Sequence, residues 1–180
     1  HGKQVQDIRE IMEKPAVRAG RLGEVTEWAP IPAYQDYIVK NAKPLHKKKI
    51  VLDAGNGTAS TVAPELFRRL GADVTELYCE LDGRFPNHHP DPTVPSNLQD
   101  MLKKMKEVGA DFGIAFDGDS DRIGLADETG KIIYGDEMMV MFSRNVLASH
   151  PGATIISEVK SSYRLYDDIA KKGGKPLMWK

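Results

Sequence analysis

From Lys49 onward, short apolar runs alternate with stretches of helical spacing, and that order leaves few folds open to the chain. Lys49-Ile50-Val51-Leu52-Asp53 reads as a strand, Ala54-Gly55-Asn56-Gly57 as a tight turn, and 58–70 as a helix that Thr58 or Ser60 can cap and Gly71 can stop. Residues 73–79 form the next strand, a proline-rich loop fills 82–96, 97–108 is a helix, and 110–116 and 123–126 are short strands. A strand, a helix and a second strand in succession imply a crossover connection. Crossovers pair strands in parallel and lay helices over the sheet faces. The expected class is α/β: a layered α/β/α domain with a mixed, mostly parallel sheet over roughly 45–134. The plan restarts at Gly135 with a helix over 136–149, a strand over 154–157, a helix over 161–172 and a strand over 176–179, the start of a second, similar domain. Met138, Met139 and Met141 on the first of these helices are expected in the core.

Upstream, residues 4–14 have helical spacing, with Val5, Ile8, Ile11 and Met12 on one side. Residues 15–33 carry Pro15, Gly20, Gly23, Pro30 and Pro32 and read as a connection; 34–43 read as a short helix ended by Pro44. The chain opens on His1 and closes in an apolar run, so it is expected to be a piece of a longer protein.

The chemistry concentrates in Asp117-Gly118-Asp119-Ser120-Asp121-Arg122. In an extended segment alternate side chains share a face, so Asp117, Asp119 and Asp121 can point the same way. Like charges that close repel unless a cation stands among them, and oxygen ligands favour a hard ion, Mg²⁺ or Ca²⁺. Arg122 adds a planar fork suited to phosphate oxygens. Apolar runs on both sides place the acids on a turn at a strand end. A solvated acidic hairpin is the plain alternative. An EF-hand loop also fits the aspartate spacing, with Glu128 at its last position, but Arg122 occupies the place that requires glycine.

Gly55-Asn56-Gly57-Thr58-Ala59-Ser60 weakly approximates a dinucleotide fingerprint, with Glu80 or Asp82 as the ribose acid, but strand–glycine turn–helix is a generic arrangement and a structural tight turn is the favoured reading. Ser60 is a weak nucleophile candidate, since no histidine lies near it in sequence. In 81–92, His88, His89 and the nearby acids offer zinc ligands, while the prolines suggest a stiff packing loop. Lys160, after a strand end, is either a phosphate or sugar contact or a surface lysine.

With a net charge of −1, nothing in the chain as a whole points to nucleic acid or a membrane surface, and Lys47-Lys48-Lys49 reads as a solvated edge. The single cysteine, Cys79, excludes an internal disulfide and fits a reducing cytoplasm. No signal peptide or membrane-spanning run is present in the sequence.

Asp53-Ala54-Gly55-Asn56-Gly57, Asn87-His88-His89-Pro90-Asp91-Pro92 and the acidic hexapeptide follow in this order, and with them the chain resembles the α-D-phosphohexomutases along essentially its whole length. That family has four domains around a cleft. The resemblance implies that 1–28 is the tail of domain 1 with its linker, 29–134 is domain 2 and 135–180 begins domain 3. It implies that Asp117, Asp119 and Asp121 bind Mg²⁺, with a phosphoserine of domain 1 as a further ligand. Arg122 and Lys160 are then the substrate-facing catalytic cations. Ser120 stands where many members have glycine. Thr58-Ala59-Ser60 is not the family's phosphoserine loop, because Thr61-Val62 follow it instead of His-Asn.

The implied activity interconverts hexose 1-phosphate and hexose 6-phosphate, of mannose, glucose or both, through an enzyme phosphoserine and a hexose 1,6-bisphosphate. Its partners would be the phosphosugar and the missing parts of domains 1, 3 and 4, with no nucleic acid and no membrane. The piece alone is expected to be inactive. A non-catalytic metal-binding α/β module is the competing reading.

Overall fold

The computed structural model describes residues 2–15, 20 and 23–180. The chain divides into units 1–30 and 31–180. In the first, α1 (Lys3–Met12) matches the expected helix, but it buries no residue, and Val5, Ile8, Ile11 and Met12 form an exposed apolar stripe. The connection expected over 15–33 falls partly on 16–19 and 21–22, outside the described residues.

α2 (Pro30–Asn41) leads into the second unit and starts earlier than the spacing suggests, because proline is well suited to a helix's first turn. Gln35, buried on this helix, donates through Nε2 to the Val62 carbonyl at 3.1 Å.

The main sheet joins β1 (Lys49–Asp53), β2 (Asp73–Leu77), β3 (Phe112–Phe116), β4 (Ile123–Asp127) and β5 (Ile132–Ile133) in the order β2-β1-β3-β4-β5. β1 runs parallel to β2 and β3, whereas β3–β4 and β4–β5 are antiparallel, so the sheet is mixed. Alternate residues of β1 face opposite layers. Val51 joins Leu98, Met101 and Met105 on the side of α4 (Gln99–Val108); Leu52 joins Ala59, Ala63 and Phe67 on the side of α3 (Ala63–Arg69). Covered on both faces, β1 is buried from Ile50 to Asp53. The result is the expected α/β/α layering.

α5 (Gly135–Ser149), β6 (Thr154–Glu158), α6 (Tyr163–Lys171) and β7 (Lys175–Trp179) follow, with β6 and β7 parallel in a separate two-stranded sheet. Leu147, Leu165 and Ile169 form their core, with Met139, Val140 and Ile155 against it. Met138 is buried as expected, whereas Met141 is exposed.

Three local departures surround the β1 end. The helix expected over 58–70 is a short 3-10 turn at Thr58–Thr61 followed by α3. Neither Thr58 nor Ser60 caps it: Thr58 donates its backbone N–H to the Gly118 carbonyl at 3.0 Å, and Pro64 sets the first turn of α3 instead. The second strand stops at Leu77, since Tyr78 adopts φ 52° and turns the chain away. Finally, Pro95–Leu98 form a separate 3-10 turn before α4.

Candidate functional site

β3 and β4 pair with Phe116 opposite Ile123, so 117–122 is the connection between them. β1 and β3 run in the same direction, which sets this connection beside the turn leaving β1, at the carboxyl ends of the parallel strands. The two turns touch. A Cβ on Gly57 would lie 2.7 Å from the Gly118 oxygen and 2.9 Å from its Cα. The glycine-rich turn therefore serves backbone-to-backbone approach, and its leading N–H groups are taken: Asn56 donates to the Tyr78 carbonyl at 2.7 Å and Thr58 to Gly118 at 3.0 Å. That use favours the structural reading over a dinucleotide cradle.

Asp117, Asp119 and Asp121 each present a carboxylate oxygen, all within 4.8 Å of one another; among the described residues no other group of His, Cys, Asp or Glu converges in this way. Asp117 is buried and the other two are exposed. Repulsion from Asp119 and then Asp117 pushes the Asp121 carboxyl above its ordinary range. Burial would raise Asp117 as well, but the backbone N–H and guanidinium of Arg122 outweigh it and hold Asp117 below the usual carboxylate range. A half-open, all-oxygen donor set under mutual repulsion fits a hard divalent cation that keeps part of its water shell, the habit of Mg²⁺.

The connection is fastened at its base. Asp117 Oδ1 accepts the Arg122 N–H at 3.0 Å and Oδ2 accepts Nε at 2.8 Å, while Asp117 donates its own N–H to the Arg122 carbonyl at 3.3 Å. Arg122 Nη1 donates to Asp91 Oδ1 at 3.1 Å. Ser120 sits at φ 64°, the conformation glycine takes easily, and its hydroxyl lies 2.9 Å from Thr58 Oγ1, turned to the neighbouring turn.

The proline-rich loop is a packing element. His88 Nε2 lies 3.0 Å from buried Asp53 Oδ2 and its Nδ1 lies 3.0 Å from the His89 carbonyl; Asn87 donates to Asn56 Oδ1 at 2.8 Å. His88 is thus engaged with the end of β1, and it does not gather with His89 and the loop acids, as a zinc site would require. Ser60 Oγ is buried with no hydrogen-bond partner among the described residues, so no base activates it as a nucleophile.

Lys160 lies in the turn after β6, highly exposed, with Nζ 3.5 Å from Glu158 Oε2. It lines a cleft of about 640 Å³ with Thr93, Tyr134, Ser157 and Ser161. Arg122 lines an adjoining cleft that shares Thr93, Tyr134 and Gly135. The aspartates and Arg122 thus form one cluster, and Lys160 stands across the Tyr134 junction from it. Sequence reasoning missed Asp91 as a partner of Arg122. The available signal was an acid between Pro90 and Pro92 in a stiff loop, which the zinc reading uses as a ligand instead.

Residues 32–130 match the model of the phosphoglucomutase/phosphomannomutase family, alpha/beta/alpha domain II. A phosphomannomutase/phosphoglucomutase of Pseudomonas aeruginosa is 46% identical over 99% of this chain and 38% of its own length. A phosphoglucomutase of Neisseria gonorrhoeae is 44% identical, with 99% and 39% covered. A solved phosphoglucomutase/phosphomannomutase family protein of Burkholderia thailandensis superposes with a TM-score of 0.92 at 42% identity, over all of this chain and 39% of that one. The chain thus spans under two fifths of the length of these relatives.

Proposed function

The chain belongs to the phosphoglucomutase/phosphomannomutase family, and from that premise we propose that it is the metal-loop part of a phosphohexomutase that interconverts hexose 1- and 6-phosphates of mannose, glucose or both. The supporting observation is the convergence of Asp117, Asp119 and Asp121 on one turn beside Arg122. Within the intact enzyme we assign 1–28 to the tail of domain 1, 29–134 to domain 2 and 135–180 to the start of domain 3. The reaction is reversible phosphoryl transfer between an enzyme serine elsewhere in that protein and the sugar, with hexose 1,6-bisphosphate as the intermediate, in the cytoplasm.

Phosphoryl transfer is limited chiefly by positioning and by charge on the equatorial oxygens. Asp117, Asp119 and Asp121 would hold Mg²⁺, which when bound would supply charge neutralisation at the phosphoserine. Arg122, held by two carboxylates at its Nε and Nη1 edges, presents the rest of its fork to the phosphoryl group. Lys160 reaches the phosphosugar from the adjoining cleft as a mobile point charge. Without the serine the chain alone is inactive.

The test is an assay of the intact protein on mannose 1-phosphate and glucose 1-phosphate, with a trace of hexose bisphosphate and increasing Mg²⁺. Mg²⁺-dependent turnover that falls by about a hundredfold or more in Asp119→Ala supports the reading. Metal binding with no turnover on either sugar would point to a non-catalytic module.

A further inference from the structure

Two carboxylates hydrogen-bond the Arg122 side chain, Asp117 from its own turn and Asp91 from outside it, while Asp121 makes a longer ion pair to Nε at 3.7 Å. Asp91 comes from the loop 31 positions upstream. We infer that Asp91 is a positioning residue: it fixes the angle of the Arg122 guanidinium over the acidic turn. The inference rests on the role proposed above for Arg122.

The loop gives Asp91 a firm base. His88 is anchored on Asp53, its ring nitrogen Nδ1 meets the His89 carbonyl, and the same carbonyl accepts the Asp91 N–H at 2.8 Å. Asp91 Oδ1 accepts the Thr93 N–H at 3.0 Å and its hydroxyl at 2.7 Å, so the carboxylate cannot swing freely. Asn97 ties the segment down further by donating to the Asp91 carbonyl at 3.0 Å. A run of bonds therefore leads from buried Asp53 at the β1 end to Nη1 of Arg122. With Nε on Asp117, Nη1 on Asp91 and Cδ tethered to the backbone, three points define the plane of the guanidinium. Removing Asp91 leaves it free to pivot about the other two. A guanidinium that must meet a flat array of phosphoryl oxygens loses its advantage when its plane is free.

Two variants of the intact protein separate this role from loop structure. Asp91→Asn keeps an oxygen for Thr93 but removes the charge that holds Arg122. Asp91→Glu keeps the charge but displaces the oxygen that closes the Thr93 turn. The readout is the side-chain order of Arg122, followed by NMR of its Nε–H with isotope-labelled arginine, alongside kcat and KM.

Asp91→Asn should loosen Arg122 and lower kcat about tenfold with KM little changed, the equivalent of one charge-assisted hydrogen bond. Asp91→Glu should retain more of both. In an Arg122→Lys background, Asp91→Asn should add less than about a twofold loss. An Arg122 as ordered in Asp91→Asn as in the parent overturns the inference. So does a loss larger in Asp91→Glu than in Asp91→Asn, which assigns Asp91 to the turn alone. If the parent proves inactive while Arg122 order still depends on Asp91, the proposed function falls and the positioning stands.

Discussion

Arg122 and Lys160 are both cations after a strand and both face the clefts that meet at Tyr134, yet they are held in opposite ways. Arg122, 51% exposed, is fixed by Asp117 and Asp91 on a turn whose backbone abuts a second turn. Lys160, 81% exposed, has one loose ion pair to Glu158. The difference follows from the two sheets. The acidic turn joins strands of a sheet covered by helices on both faces, so neighbours press on it from several sides. The Lys160 turn follows β6 of a two-stranded sheet, and among the described residues the ion pair of its cation is the long one to Glu158. On the function proposed above, one cation is pre-set and the other is ordered when the phosphosugar binds. Pre-set groups lose less entropy when a ligand arrives.

Exchanging the side chains gives the largest test of that contrast. Arg122→Lys should cost about a hundredfold in kcat, because a single ammonium cannot bridge Asp117 and Asp91 while also facing a phosphoryl group. Lys160→Arg should stay within about tenfold, since a mobile long cation can be replaced by another. Steady-state kinetics of the intact protein check both. Equal losses at the two positions would remove the distinction.

A second test moves from side chains to backbone. Gly57→Ala brings a methyl group within 2.7 Å of the Gly118 oxygen, and backbone has little room to give. We expect a loss of about 1–3 kcal/mol by chemical denaturation. Val159→Ala, in the exposed turn beside Lys160, should stay within about 0.5 kcal/mol.

Much of this was legible in the chain. The β1–turn unit is local: Ile50, Val51 and Leu52 need covering on both faces, and Gly55-Asn56-Gly57 announces a turn. The aspartates were legible because alternate spacing on a short turn brings carboxylates together whatever surrounds them. What could not be read was contact across distance. Nothing near Gly57 says that Gly118 will lie against it, and nothing near Asp91 names Arg122. The 3-10 turn at Thr58–Thr61 was hidden for the same reason: local propensity favours one helix, and the Gly118 carbonyl outweighs it. Methionine periodicity was right for Met138 and Met139, but Met141 falls on the outer side of α5.

The anchor of the pre-set side should also respond to pH. The hydrogen bond to Asp53 raises the His88 pKa above its ordinary value, against the lowering effect of burial, and the His89 carbonyl and the charges of Asp53 and Asp100 add to the rise. The ring donates at both nitrogens only when protonated. The sign follows: a group whose folded pKa is raised adds stability that is complete below its ordinary value of about 6.5 and is lost as pH climbs through the raised value. Unfolding free energy should therefore decline over that window, and His88→Asn should flatten the decline. An unchanged slope in the variant would show that the loop is held by its other bonds.

A small effect is expected at Ser120, and its smallness is informative. Ser120 carries φ 64°, which costs a non-glycine residue about 1–2 kcal/mol. Ser120→Gly removes that cost. It also frees the unfolded chain, which takes back about 0.4–1 kcal/mol, and it deletes the exposed bond to Thr58 Oγ1, worth about 0.5 kcal/mol. The terms nearly cancel, so stability should change by less than about 1 kcal/mol. Since the hydroxyl is turned toward Thr58, metal affinity should not change either, and titration of the intact variant with Mg²⁺ checks this. A stability loss beyond about 2 kcal/mol would mean that the Thr58–Ser120 contact is what closes the two turns together. In that case the pre-set character of Arg122 would depend on a side-chain tie and not on the backbone fit of Gly57 against Gly118.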